Sequence, residues 1–146
     1  MKPSPWTLVF SGWLIAAVST LGALFLGEVM GFAPCVLCWY QRIFMFPLVF
    51  VLGAGLFPFD PRVVRYALPL ALMGWAVALF HVLLIAGIIP ESATPCTQGV
   101  PCSQVEAIWF GFVTIPLLSV ASFSVIIAAL VAAHQSSKQT SKQASQ

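Results

Sequence analysis

Four cysteines, arranged in two pairs, are the residues of this chain best suited to chemistry. Cys35 and Cys38 stand in FAPCVLCWYQR, Phe32 to Arg42, and Cys96 and Cys102 stand in PCTQGVPCS with five residues between them. A Cys-x-x-Cys at a helix N-terminus is a compact dithiol that closes and reopens by thiol–disulfide exchange. Pro34 directly precedes Cys35. Proline favours the first turn of a helix and disfavours helix in the residue before it. The dithiol is therefore expected in a first helical turn, where free N–H groups and the positive end of the dipole stabilise a thiolate. Arg42 follows Cys38 by four residues and Cys35 by seven, which puts all three on one helix face. There its guanidinium would favour a thiolate at Cys38 and stabilise negative charge on an electron acceptor.

Two other chemistries compete for the same residues. Four thiolates can hold zinc, and either pair can be a structural bridge. Neither cysteine loop has the polar, ligand-supporting density of a zinc ribbon, and a bridge closing so short a loop adds little chain-entropy stabilisation. Redox chemistry is thus the favoured reading, with no metal. Gly99 and Pro101 are turn formers that can bring Cys96 and Cys102 together. His81 lies in VALFHVLLIAG. An ionisable residue at that depth is a functional candidate, and a neutral histidine hydrogen-bonded within the bundle is the other reading. Gln41 has no role assigned from sequence, while Trp39 and Tyr40 read as interfacial anchors. His134 reads as solvated.

The elements that must position these residues follow from composition. Of 146 residues, 60% are hydrophobic and 7% charged, and the mean hydropathy is +1.01. That is too apolar for a soluble surface, and a net charge of +2 gives no footprint for nucleic acid. A bilayer core of about 30 Å needs about 20 apolar residues as helix. Four such runs are present: Trp6 to Gly27, the Cys-x-x-Cys to about Phe57, about Tyr66 to Ile89, and about Ala107 to Ala133. The predicted fold is an all-α membrane protein, a four-transmembrane-helix bundle over residues 1–133. Residues 134–146, HQSSKQTSKQASQ, are expected to be a polar, disordered tail. The first run is too long for a signal-peptide core and is expected to be retained. Ser103 and Glu106 form a possible capping box for the fourth helix. Pro47, Pro69 and Pro116 are expected inside helices two, three and four.

Lys2, Arg62, Arg65, Lys138 and Lys142 fall on one side of a four-span topology, with Arg42 as the one basic residue of the other. The excess of Lys and Arg marks the cytoplasmic side. Both termini are then cytoplasmic, and all four cysteines face the outer side, where disulfides persist.

With these residues in place, CVLCWYQR followed by a membrane helix resembles the DsbB/BdbC family of quinone-linked disulfide bond formation proteins. PCTQGVPCS and WFGFVTIPLLS are similar to its BdbC-type branch, and the resemblance covers nearly the whole chain except the tail. It implies a bacterial inner-membrane thiol:quinone oxidoreductase that reoxidises a soluble thioredoxin-like oxidase of the DsbA/BdbD kind and passes electrons to ubiquinone or menaquinone. Carried over by position, Cys96 takes the mixed disulfide and Cys102 resolves it. Cys35 then exchanges with the loop pair, and Cys38 faces the quinone beside Arg42. His81 falls where the family can have a quinone-proximal histidine. The second pair is more closely spaced than in many members. A vitamin K epoxide reductase-like protein is a rival reading, but its Cys-x-x-Cys is expected in a late helix. A non-catalytic membrane protein holding zinc on four cysteines, or stapled by disulfides, is the rival from another class.

Overall fold

The computed structural model describes residues 3–90, 101–102, 108–109 and 113–144. Helix α1 spans Pro5–Leu24 and runs on into a π-helical turn, Phe25–Val29. Helix α2 spans Val36–Leu56, α3 Val63–Ile85 and α4 Ile115–Ala144. A two-residue ladder precedes α4, in which β1, Ile108–Trp109, pairs antiparallel with β2, Val113–Thr114. All four helices are long and apolar enough to cross a membrane, so the chain is an α-helical multi-pass membrane protein.

Local chemistry sets the helix ends. Ser4 caps α1 by accepting the Thr7 N–H at 3.2 Å, and Pro5 occupies the first turn, where its missing N–H costs nothing. Helix α3 stops at Gly87, whose φ of 73° suits a residue without Cβ. Its N–H donates to the Leu84 carbonyl at 3.0 Å and that of Ile88 to Leu83 at 3.1 Å, which satisfies the last turn. This reversal ends the helix at Ile85 rather than Ile89, and the expected start at Tyr66 moves back to Val63.

The helices close into a ring in which α1 packs on α2, α2 on α3, α3 on α4 and α4 on α1. The shared core holds Val9 and Ala16 from α1, Leu48 and Leu52 from α2, Ala71 and Ala78 from α3, and Phe123, Ile126 and Leu130 from α4. Small residues let these helices approach, as membrane packing requires. A Cβ on Gly74 of α3 would meet the Phe123 ring, and one on Gly55 of α2 would meet Val63. The outward faces carry exposed large apolar side chains such as Val18, Leu21, Phe50, Met73 and Val125. In water such faces would be a liability, whereas lipid covers them.

Three expectations are corrected here. Helix α4 begins at Ile115, not near Ala107, because the apolar run before it is broken by the short β ladder. Pro116 consequently sits in the first turn of α4 rather than in its interior, a position that proline favours. The expected disordered tail is instead helical to Ala144. Its Gln, Lys and Ala residues are good helix formers, with no Gly or Pro to stop an already nucleated helix. Pro47 and Pro69 do lie inside α2 and α3. The Ser103–Glu106 capping box lies outside the described residues.

Candidate functional site: a buried dithiol beside a histidine and an arginine

Cys35 is the N-cap of α2, with φ −68° and ψ 169°, and its Sγ accepts the Cys38 N–H at 3.4 Å. Pro34 leaves the chain extended up to this point, and helix begins at Val36. The two sulfurs lie 3.0 Å apart and are not bonded to one another. Cys35 is buried and Cys38 half-buried. A thiol-to-sulfur hydrogen bond shared with Cys38 holds the Cys35 thiol down at about 4, with help from His81 and the Cys38 amide; burial opposes the shift. These contacts favour a thiolate at Cys35.

His81 reaches the pair from α3. Its Nε2 lies 3.9 Å from Cys35 Sγ and donates to the Cys102 carbonyl at 3.1 Å. A carbonyl only accepts, so Nε2 carries the proton. Nδ1 then accepts from Gln41 Nε2 at 3.0 Å. Both Gln41 and His81 are buried. Gln41 shares the buried stripe of α2 with Met45, Leu48 and Leu52. A polar side chain on that stripe needs a partner inside the bundle. This is the signal in the sequence that could have assigned it.

Arg42 lies one residue further round α2. Its Nη2 donates to the Ala23 carbonyl at 2.8 Å, and its guanidinium carbon sits 5.4 Å from the centre of the Trp39 ring. The Ala23 carbonyl lies just before the π-helical turn, and a Cβ on Gly27 within that turn would come 3.1 Å from Nη2. The end of α1 is thus shaped to receive the guanidinium. Trp39 is more than an interfacial anchor, since its ring faces the cation.

These groups line one cavity of about 930 Å³, open mouth included. Its polar wall holds Cys35, Cys38, Gln41, Arg42 and His81, and its apolar wall includes Leu26, Phe32, Phe46, Ile85 and Phe123. Ser19 and Ser119 add hydroxyls from α1 and α4. Four of the six residues singled out from sequence thus share one cavity. Cys102 is disulfide-bonded and buried, and touches His81 through its carbonyl. Its sulfur is therefore not available to a four-thiolate zinc site in this state. Cys96 lies outside the described residues. Sγ of Cys35, Sγ of Cys38 and a ring nitrogen of His81 all lie within 4.8 Å of one another.

Four membrane-spanning helices around a buried Cys-x-x-Cys define a membrane-embedded dithiol redox protein. The family profile of the disulfide bond formation protein DsbB matches residues 5–135. The chain is 48% identical over 136 residues to a probable disulfide formation protein of Metapseudomonas resinovorans, covering 90% of this chain and 94% of the relative. It is 43% identical over 121 residues to the disulfide bond formation protein C of Bacillus subtilis, covering 82% and 86% respectively. A probable disulfide formation protein of Deinococcus radiodurans is 39% identical over 133 residues, covering 85% and 86%. No solved structure matches the chain. The chain belongs to the DsbB family of disulfide bond formation proteins, and its general role is redox chemistry in disulfide generation.

Proposed function

We propose that this protein is a thiol:quinone oxidoreductase that reoxidises a soluble, extracytoplasmic dithiol oxidase of the thioredoxin-like DsbA/BdbD kind. The carrying observation is that the dithiol and Arg42 share the wall of a cavity at one end of the spans. An aqueous protein partner and a lipid-dissolved acceptor can both reach such a place. The Lys and Arg distribution supports cytoplasmic termini and outward-facing cysteines, and the family supports a bacterial inner-membrane setting.

The relay has three exchanges. A partner dithiol attacks the Cys96–Cys102 disulfide, leaving the partner oxidised and the loop pair as two thiols; Cys96 takes the mixed disulfide and Cys102 resolves it. The loop thiols then reduce the Cys35–Cys38 disulfide and close again. Finally the Cys35–Cys38 pair, one thiolate and one thiol, gives up two electrons and one proton and returns to the disulfide, and the second proton of the reduced acceptor comes from the medium. A quinone, ubiquinone or menaquinone, supplies the two-electron acceptor chemistry.

The cavity fits such a ring. Apolar side chains suit its faces, Arg42 and Gln41 offer donors to carbonyl oxygens, and His81 lines the same wall. Arg42 stabilises negative charge developing on the acceptor. Cys38 is the more exposed residue of the pair, shares the helix with Arg42 and delivers the electrons. Cys35 holds the anion of the resting reduced pair, and His81 orders the site around it.

The test supplies purified protein with a panel of reduced thioredoxin-like partners and a soluble quinone analogue. Partner-dependent loss of the quinone absorbance is expected, abolished by Cys38→Ser. Unimpaired turnover in that variant would sink the relay.

A further inference from the structure

We propose that the reduced dithiol, together with His81, forms a redox-gated site for one Zn²⁺ ion, bound by Cys35 Sγ, Cys38 Sγ and His81 Nε2. The site stands on the geometry of these three side chains. Its consequence, withdrawal of the pair from thiol–disulfide exchange, rests on the relay proposed above.

Ligand type and distance agree. Two thiolates and one imidazole are ligands that zinc prefers, with Zn–S of about 2.3 Å and Zn–N of about 2.0–2.1 Å. At a tetrahedral angle those bonds separate two sulfurs by about 3.8 Å and a sulfur from a nitrogen by about 3.6 Å. The observed separations are 3.0 Å between the sulfurs and 3.9 Å from Cys35 Sγ to Nε2. Opening the sulfurs by less than an ångström, within the reach of a χ1 adjustment at a helix cap, admits the ion.

The outer partners suit the ion as well. A metal-bound imidazole donates its other ring N–H to a carbonyl or carboxylate, which fixes the ring. Gln41 already faces Nδ1 at 3.0 Å. Turning its amide end for end presents Oε1 to an Nδ1–H, as the Nε2 proton moves to Nδ1 to free the ligating lone pair. The Cys102 carbonyl, 3.1 Å from Nε2, now accepts its proton and gives way to the ion on that side. The shared cavity gives the ion a way in.

Charge balances too. Two Zn–S bonds form as the one S–H proton left on the reduced pair, that of Cys38, leaves, and no electron moves. The two thiolates cancel the dication, so Arg42 on the same wall meets a neutral cluster instead of an added positive charge. When Cys35 and Cys38 close into a disulfide, both thiolates are gone and a lone histidine remains. The site therefore exists in one redox state only.

The experiment uses tag-free, detergent-solubilised full chain, without partner or quinone. Zn²⁺ binding is measured by calorimetry and Cd²⁺ binding by thiolate-to-metal ultraviolet absorption, on protein reduced and then freed of reductant and on protein oxidised with diamide. One ion per reduced chain is expected, with loss of the absorption band on oxidation. The double variant Cys96→Ser/Cys102→Ser should keep the site, and His81→Ala should weaken it by about tenfold or more. Equal binding by oxidised and reduced wild-type protein would overturn the proposal without any variant having to fold. Loss of binding in the double variant would overturn it also, by placing the ion on all four cysteines. A protein that binds zinc only when reduced but fails to reduce quinone would keep this site and lose the relay.

Discussion

The side chains of Gln41 and His81, 40 positions apart in the chain, meet at 3.0 Å inside the bundle. The amide donates to Nδ1, and Nε2–H donates to the Cys102 carbonyl. The Cys102 carbonyl thus fixes the tautomer of a residue from α3, a residue from α2 holds its other ring nitrogen, and that ring ties the first cysteine pair to the second. Gln41→Leu leaves a buried imidazole nitrogen without its partner. We expect a loss of about 1–2 kcal/mol in stability, read by thermal unfolding in detergent. Quinone reduction should slow as well.

Arg42 is held by the Ala23 carbonyl and by the Trp39 ring. Replacing it with Met removes a charge-assisted donor, worth about 1.5–3 kcal/mol when the partner is anionic. The KM for a quinone analogue is expected to rise by about tenfold or more. Gly27→Leu should act in the same direction without removing the guanidinium, because a side chain there intrudes on Nη2. An unchanged KM in both variants would remove Arg42 from acceptor binding.

The Cys35 thiol, at about 4, is ionised through the whole neutral range when the pair is reduced. Its pKa is depressed, so the thiolate is present above that value and is lost as pH falls through it. The alkylation rate of Cys35 in a Cys96→Ser/Cys102→Ser background should therefore stay nearly flat from about pH 6 to 9. An ordinary thiol with a pKa of about 8.5 would accelerate steeply over that interval. Mass-spectrometric quantification of the labelled peptide gives the profile.

Gly74 of α3 faces the ring of Phe123 in α4, with no room for a Cβ. Gly74→Val is expected to cost about 1–3 kcal/mol by overpacking, seen as a lower unfolding temperature. Gly22→Ala, whose Cβ meets nothing within 4 Å, should be close to neutral or slightly stabilising.

Much of this was legible in the chain because hydropathy and spacing are local signals. Four apolar runs gave four spans, and Pro34 before Cys35 gave the helix start to within two residues. The spacing of Cys35, Cys38 and Arg42 put them along one helix, and they share a cavity wall. The role of Gln41 was not legible, because its partner is supplied by the packing of α2 on α3, which no local pattern encodes. The start of α4 was misplaced because a short β ladder of Ile, Trp, Val and Thr is as apolar as a helix and hides inside the run. The tail misled in the opposite sense, since polarity alone does not separate disorder from a solvated helix continued from a buried one.

The central claim is that electrons leave the protein through the Cys35–Cys38 pair. Its most direct test is a single turnover, with anaerobically reduced Cys96→Ser/Cys102→Ser protein mixed with one equivalent of quinone analogue. The expected result is one hydroquinone formed per Cys35–Cys38 disulfide, with both absent in Cys38→Ser. Hydroquinone formed while Cys35 and Cys38 remain alkylatable would contradict the account.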